Sequence, residues 1–290
     1  MVTRRKIVLA VSGGVDSVVM LDKFWKYADV VAHFDHGIRT DSAEDAEFVR
    51  GLAEKYGVEF VLRREKLGVE CSEALARERR YRFLREVAGG GGEIWTAHHV
   101  DDLVETVAIN LIRGTGWRGL CVLDTVGIER PFLSIGWGKK EILEYAAKEG
   151  LEWREDETNT NDKYLRNRVR KELQGVTPYE QEILKLWRRQ CEIRREVGDI
   201  LGEIMGTEEV FRREFYRELV EDSDRDVALE ILRSVLESWG MRVTWVSVER
   251  FLEAVLNYQN GKVSNLPGDV LVRISRERFY LEGNDVSRSG

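Results

Sequence analysis

Apolar and polar positions fall into alternating blocks over the first hundred residues. Short runs rich in β-branched residues occur at 7–11 and in "DVVAHF", "VEFVL" and "EIWTAH". Between them, apolar residues recur every three or four positions, at 15–27, 42–56, 72–87 and 101–113. Ala46, Val49, Leu52 and Ala53 share one face of the second such stretch. The short runs predict strands buried on both faces, and the longer spacing predicts helices packed against them. Strand and helix alternating in this way predict a parallel sheet with right-handed crossovers.

After Arg130 and Pro131 the alternation stops. Helices are expected at 138–149, 179–205, 224–239 and 246–256, and "VLVRISRERFYLE" reads as a strand or hairpin. In the long charged helix, Leu186, Ile193 and Val197 are expected to face inward. The expected fold is α/β: a parallel-sheet domain over 1–175, then a smaller, mainly helical domain over 176–290.

Composition narrows the class. The chain is 43% hydrophobic and 33% charged, as expected of a globular, soluble protein. No apolar run approaches the length of a membrane span. "MVTRRKIVLAVSGG" places basic residues before an apolar run, but the run ends in a glycine turn and not a cleavage site. It reads as the first strand of a cytoplasmic protein. The three cysteines are far apart and form no C-x-x-C, so reduced structural thiols are expected. Net charge is -7, yet residues 163–195 hold ten Lys or Arg against four Glu. Such a basic island is either a solvated face or a docking surface for a polyanion.

Three polar clusters follow predicted strands: "SGGVDS", "HFDHGIR" and "HHVDD". In open α/β sheets ligands bind beyond the carboxyl ends of the strands. The first cluster has the form of a phosphate loop, but it lacks the lysine that serves γ-phosphoryl transfer. Gly13 and Gly14 allow close backbone approach. The amides around Gly14 and Val15 open a helix whose positive end faces a ligand. The Ser12 and Ser17 hydroxyls add donors. Asp16 would repel phosphates unless a divalent cation intervenes, which points to Mg²⁺. The loop suits pyrophosphate as leaving group, and therefore cleavage of ATP between the α- and β-phosphates.

The S-G-G-x-D-S string resembles the signature of the N-type ATP pyrophosphatase (PP-loop) superfamily, whose domain is adenine nucleotide α-hydrolase-like. "HFDHGIRTDSAEDAEFV", "ARERRYRFL", "AHHVDDLVETVAINLIRGTGWRGL", "ERPFL" and "EDETNTNDKYLRNRVR" are similar, in order, to segments of tRNA(Ile)-lysidine synthetases. The resemblance implies a ligase that uses ATP and Mg²⁺. It would adenylate the wobble cytidine of the CAU-anticodon isoleucine tRNA, join free L-lysine to it to form lysidine, and release AMP and pyrophosphate. A homodimer is implied as well. The alternative is another PP-loop tRNA-modifying enzyme, such as a tRNA thiolase.

Candidate residues follow. Ser12, Gly13, Gly14, Val15, Asp16 and Ser17 would hold nucleotide, with Asp16 also holding the metal. Arg77 or Arg82 would offset charge on the α-phosphate or cytidine. His99 would donate to phosphate or move a proton. Asp101, Asp102 and Glu105 would bind a cation or attract the lysine ammonium group, or Asp101 and Asp102 serve only as helix caps. His36, Arg113, Asp156, Asn159, Arg166 and Asn167 complete the implied substrate set. A zinc site from His33, His36, His98 and His99 meets the objection that adjacent residues on a strand point to opposite faces. Leu103 stands where the family usually carries Gln.

Overall fold

The computed structural model describes residues 4–37, 42–66, 72–154, 169, 172, 179–205, 214–238, 243–266 and 270–283. The chain divides into two compact units, Met1–Cys191 and Glu192–Gly290.

In the first unit, five parallel strands take the order β3-β2-β1-β4-β5. They are β1 (Ile7–Ala10), β2 (Val30–Asp35), β3 (Glu59–Arg64), β4 (Glu93–Trp95) and β5 (Ile128–Glu129). Val8 pairs with Val30 on one side and Ile94 on the other. The helices are α1 (Val15–Phe24), α2 (Ser42–Tyr56), α3 (Glu73–Ala88), α4 (Val100–Ile112), α5 (Pro131–Ile135) and α6 (Lys139–Glu149). α7 (Glu180–Met205) begins in this unit, and the division falls within it.

The period-two rule assigns the two faces of the sheet. Leu9, Val11 and Val31 pack with residues of α1, α2 and α6, including Val19, Val49 and Ile142. Val8, Val30, Ala32 and Phe34 pack with Tyr81, Phe83 and Leu84 of α3. Asp22 of α1 ties one helical layer together, because Tyr56 of α2 and Tyr145 of α6 donate to its two carboxylate oxygens at 2.5 and 2.7 Å. Strand order reverses at β1, which has β2 on one side and β4 on the other. That is the topological switch point, where an open sheet leaves a crevice. The loops after β1 and β4 flank it.

The second unit contains β6 (Glu214–Tyr216), α8 (Glu218–Glu221), α9 (Arg225–Ser238), α10 (Trp245–Asn257), β7 (Val263–Leu266), β8 (Val270–Ile274) and β9 (Arg278–Gly283). Its core joins Leu232, Val235 and Phe251 of the helices to Val272, Phe279 and Leu281 of the strands. The expected terminal hairpin is β8–β9, and it belongs to a four-stranded antiparallel sheet in the order β6-β9-β8-β7. β6 has three residues and β7 buries only Leu266, too little alternation to be read from sequence.

One facing is corrected. Leu186 on α7 is 56% exposed, whereas Leu184 and Cys191 are buried. Leu184 is two positions away, just over half a turn, so both cannot face the core. Cys121 and Cys191 are buried; Cys71 lies outside the described residues.

Candidate active site

The chain leaves β1 at Ala10 and turns through Ser12–Gly14 into α1. Gly13 has φ 97°, a region side-chain-bearing residues rarely adopt, and its carbonyl accepts from the Arg154 amide at 3.0 Å. Gly14 is the N-cap of α1 in extended conformation. Ser17 is buried. Its Oγ accepts from the amides of Ser12 at 3.1 Å and Gly13 at 3.2 Å, and donates to the Gly14 carbonyl at 2.9 Å. In this structure the hydroxyl hydrogen of Ser17 goes to the loop's own backbone. Ser17 shapes the turn. The outward donors are the first amides of α1, at Gly14, Val15 and Asp16, which helix geometry leaves without intrahelical acceptors. Ser12 Oγ lies 3.2 Å from Ser17 Oγ.

Asp16 stands in the first turn of α1 and is ion-paired with Lys139 Nζ at 2.6 Å. Lys139 is the first residue of α6. Its backbone amide donates to Asp101 Oδ2 at 2.7 Å. One residue thus links the loop after β1 to the cluster after β4.

That cluster is built at the start of α4. His99 caps the helix, and its amide donates to Asp102 Oδ2 at 3.1 Å. His99 Nδ1 donates to Asp101 Oδ2 at 3.1 Å, and Nε2 lies 3.6 Å from Asp102. Burial alone would lower the His99 pKa. The hydrogen bond to Asp101 and the charges of Asp102 and Asp16 outweigh burial and raise it. Burial would raise Asp101, but donation from His99 and from the Lys139 amide brings it down to about 2. The imidazole is held between two carboxylates, which favour its charged form. Glu105 lies one turn along α4 and is buried. Gly138 fits closely against this cluster, since a Cβ there would stand 2.8 Å from Asp101 Oδ2.

His98 points the other way. Its Nδ1 lies 2.9 Å from Thr96 Oγ1. Burial lowers its pKa, Asp102 opposes this, and Arg130, Arg77 and Arg80 lower it further, so the ring is neutral. Arg77 stacks on the Tyr81 ring at 4.8 Å. Arg82, five positions on, instead pairs with Glu78 on the exposed face of α3 at 3.1 Å. Of the two, Arg77 is the one whose charge reaches the sheet edge.

At the end of β2, buried His33 donates from Nδ1 to the Val11 carbonyl at 2.8 Å, which fixes the loop strand. The His36 ring packs edge-on against Phe34 at 4.8 Å. Its Nδ1 is buried without a hydrogen-bond partner, and its pKa is lowered by burial and by Arg80. Arg113 caps the opposite end of α4, about 18 Å along the helix from Asp101 by its rise per residue, and is not brought to the cluster. Asp156, Asn159, Arg166 and Asn167 lie outside the described residues.

Three neighbours of the site escape the sequence reading. Lys139 has no local signal, because folding alone brings it to the loop. Arg80 lies within the quoted "ARERRYRFL". Buried Arg130, in "ERPFL", donates from Nη1 to the Ile128 carbonyl at 3.1 Å, while its Nε has no partner.

Residues 2–176 match the family model described as PP-loop domain. The chain belongs to the PP-loop family. This PP-loop protein is 35% identical over 295 residues to a tRNA(Ile)-lysidine synthase of Thermus thermophilus, covering 95% of the chain and 56% of the relative. It is 38% identical over 186 residues to a tRNA(Ile)-lysidine synthase of Geobacter sulfurreducens, covering 58% of the chain and 39% of the relative. The chain thus spans about half the length of these curated relatives. A solved U34-tRNA thiolase from Methanococcus maripaludis, with its 4Fe–4S cluster, superposes with TM-score 0.53 at 19% identity, over 65% of this chain and 73% of that one. That likeness extends to the fold alone.

Mg²⁺ can be tested against the donor set. Among the described residues no group of three His, Cys, Asp or Glu is placed to hold a metal. Mg²⁺ bound through nucleotide phosphates takes only one or two protein carboxylates. Asp16, a third exposed at the loop mouth, fits as that carboxylate.

Proposed function

We propose that the protein is an ATP-dependent ligase that joins free lysine to the wobble cytidine of the CAU-anticodon isoleucine tRNA. The observation that carries this reading is the double role of Lys139. Its side chain meets Asp16 and its amide meets Asp101, so the phosphate loop and the carboxylate–imidazole cluster form one site. The named relatives support the choice of substrates.

In this reading the α1 amides hold the β- and γ-phosphates. The C2 carbonyl oxygen of cytidine attacks the α-phosphorus, and pyrophosphate leaves. The ε-amine of lysine then attacks C2, and the oxygen departs with AMP. Asp16 would hold Mg²⁺, which neutralises phosphate charge. Asp101, Asp102 and Glu105 attract the lysine ammonium group. His99, whose charged form the neighbouring carboxylates favour, serves in proton transfer or as a positive charge in the site. Arg77 faces the anion side.

Purified protein with ATP, Mg²⁺, labelled lysine and this tRNA is expected to release AMP and label the tRNA. Asp16→Asn is expected to abolish AMP release with an unchanged circular dichroism spectrum. Release of ADP and phosphate instead would overturn the adenylation chemistry, and incorporation of sulfur would assign the chain to the thiolase class.

A further inference from the structure

We propose that Asp22 is a positioning residue: through Tyr145 it fixes the register of α6 on α1 and thereby sets the His99–Asp101 cluster against the phosphate loop. Its effect on rate rests on the reading of loop and cluster as one ligase site; its effect on register does not.

α1 and α6 are joined at two points. Lys139 Nζ donates to Asp16 Oδ1 at 2.6 Å, and Tyr145 Oη donates to Asp22 Oδ2 at 2.7 Å. Asp16 and Asp22 are six positions apart, and so are Lys139 and Tyr145. Equal intervals, about 9 Å along each axis, require the two helices to run in the same direction in one register. The first contact lies within the site. The second lies in the last turn of α1, outside it. Tyr56 of α2 donates to the other Asp22 oxygen at 2.5 Å, so the carboxylate is held from both sides and cannot turn to follow α6. Burial and donation to Asp22 push the Tyr145 hydroxyl up to about 12 and raise that of Tyr56 as well, so both phenols are donors at neutral pH. Lys23, next along α1, adds a second grip. Its Nζ stands 4.4 Å from the Trp137 ring centroid and 5.2 Å from that of Tyr145.

α6 passes this placement on to α4. The Trp137 carbonyl, one residue before the α6 N-cap, accepts from the Val100 amide at 3.0 Å. The Lys139 amide donates to Asp101 Oδ2 at 2.7 Å. Val100 is the first residue of α4 and His99 is its N-cap, so both bonds tie the start of α4 to the start of α6. α1 therefore carries the phosphate loop at its first turn and, from its last turn, sets where the cluster stands. Val19 of α1 shares an apolar core with Ile142 and Ala146 of α6, but apolar burial is non-directional. A hydrogen bond is directional, and reacting groups need to be held to within about 0.5 Å. Asp22 supplies that constraint.

The test compares Tyr145→Phe with Tyr56→Phe in the full chain. Each removes one donor from Asp22, but only Tyr145 belongs to the helix that reaches the cluster. Amide hydrogen exchange at Val100 and Lys139 and steady-state AMP release are read for both, with thermal unfolding to compare their losses of stability. Tyr145→Phe should speed exchange at both amides several-fold. It should also lower kcat roughly tenfold, a fraction of the penalty for a misplacement of about 1 Å, with KM for ATP unchanged. Tyr56→Phe should leave exchange at those amides and kcat at wild-type values. In an Asp22→Ala background, Tyr145→Phe should have no further effect on either readout. Equal losses of kcat in the two phenylalanine variants, wild-type exchange in Tyr145→Phe, or an undiminished effect in the Asp22→Ala background overturns the proposal. A wild type that releases no AMP overturns the ligase reading, and exchange alone then decides the role of Asp22.

Discussion

His99 and Asp101 show how two ordinary ionisable groups acquire opposite shifts from one contact. The imidazolium is stabilised by carboxylates and the carboxylate by its donors. The sign of the linkage follows for each. Asp101, ordinarily 3.8 and here about 2, contributes stability above about 4 that is lost as pH falls through 2. His99, raised above 6.5, contributes stability below that value, lost as pH rises through its elevated folded pKa. The pair should therefore stabilise the fold most between about pH 4 and 6.5. Urea unfolding of the wild type against Asp101→Asn, measured from pH 3 to 9, should show the largest gap in that window. A gap that does not change with pH would mean the two groups are uncoupled.

At the scale of the element, α4 is a helix with two jobs. Its first turn carries the ionic cluster, and its inner face carries Val100, Leu103 and Val104 against Leu133 and Leu184. Leu103 is fully buried, which explains why an apolar residue can stand where relatives were expected to carry Gln. Restoring the amide by Leu103→Gln would bury a polar group in an apolar cluster and should cost about 2–4 kcal/mol of unfolding free energy. Equilibrium denaturation measures this; a change under about 0.5 kcal/mol, the size usual for surface substitutions, would mean the side chain escapes to a polar neighbour. α7 packs beside the same cluster. Trp187 donates to the Val122 carbonyl at 2.7 Å and Arg188 to the Leu133 carbonyl at 2.9 Å. Part of the basic character at 163–195 thus serves structure.

At the scale of the molecule, a chain of net charge -7 must present its cations locally to hold a polyanion. No helix among the described residues is long and apolar enough to cross a membrane. If Arg194 and Arg195 of α7 meet tRNA phosphates, replacing both by Glu should weaken tRNA binding. It should also flatten the dependence of log K on log salt by about 1 for each phosphate no longer neutralised. Filter binding at several salt concentrations reads the slope, and an unchanged slope would assign these arginines to solvent.

What sequence determined is local: β-branched runs, helical spacing and glycine turns are fixed by neighbouring residues. These signals sufficed for the parallel sheet, its crossover helices and the three polar clusters at one edge. The antiparallel sheet of the second unit was only half legible, because β6 and β7 are short and poorly buried. Tertiary structure decided what depends on distant partners. It turned Ser17 inward and Leu186 outward, separated the roles of Arg77 and Arg82, and left Arg113 at the far end of α4. It also brought Lys139 across more than a hundred positions to Asp16. Through-space pairings of this kind leave no periodicity in the chain, since they are set by which strand lies beside which.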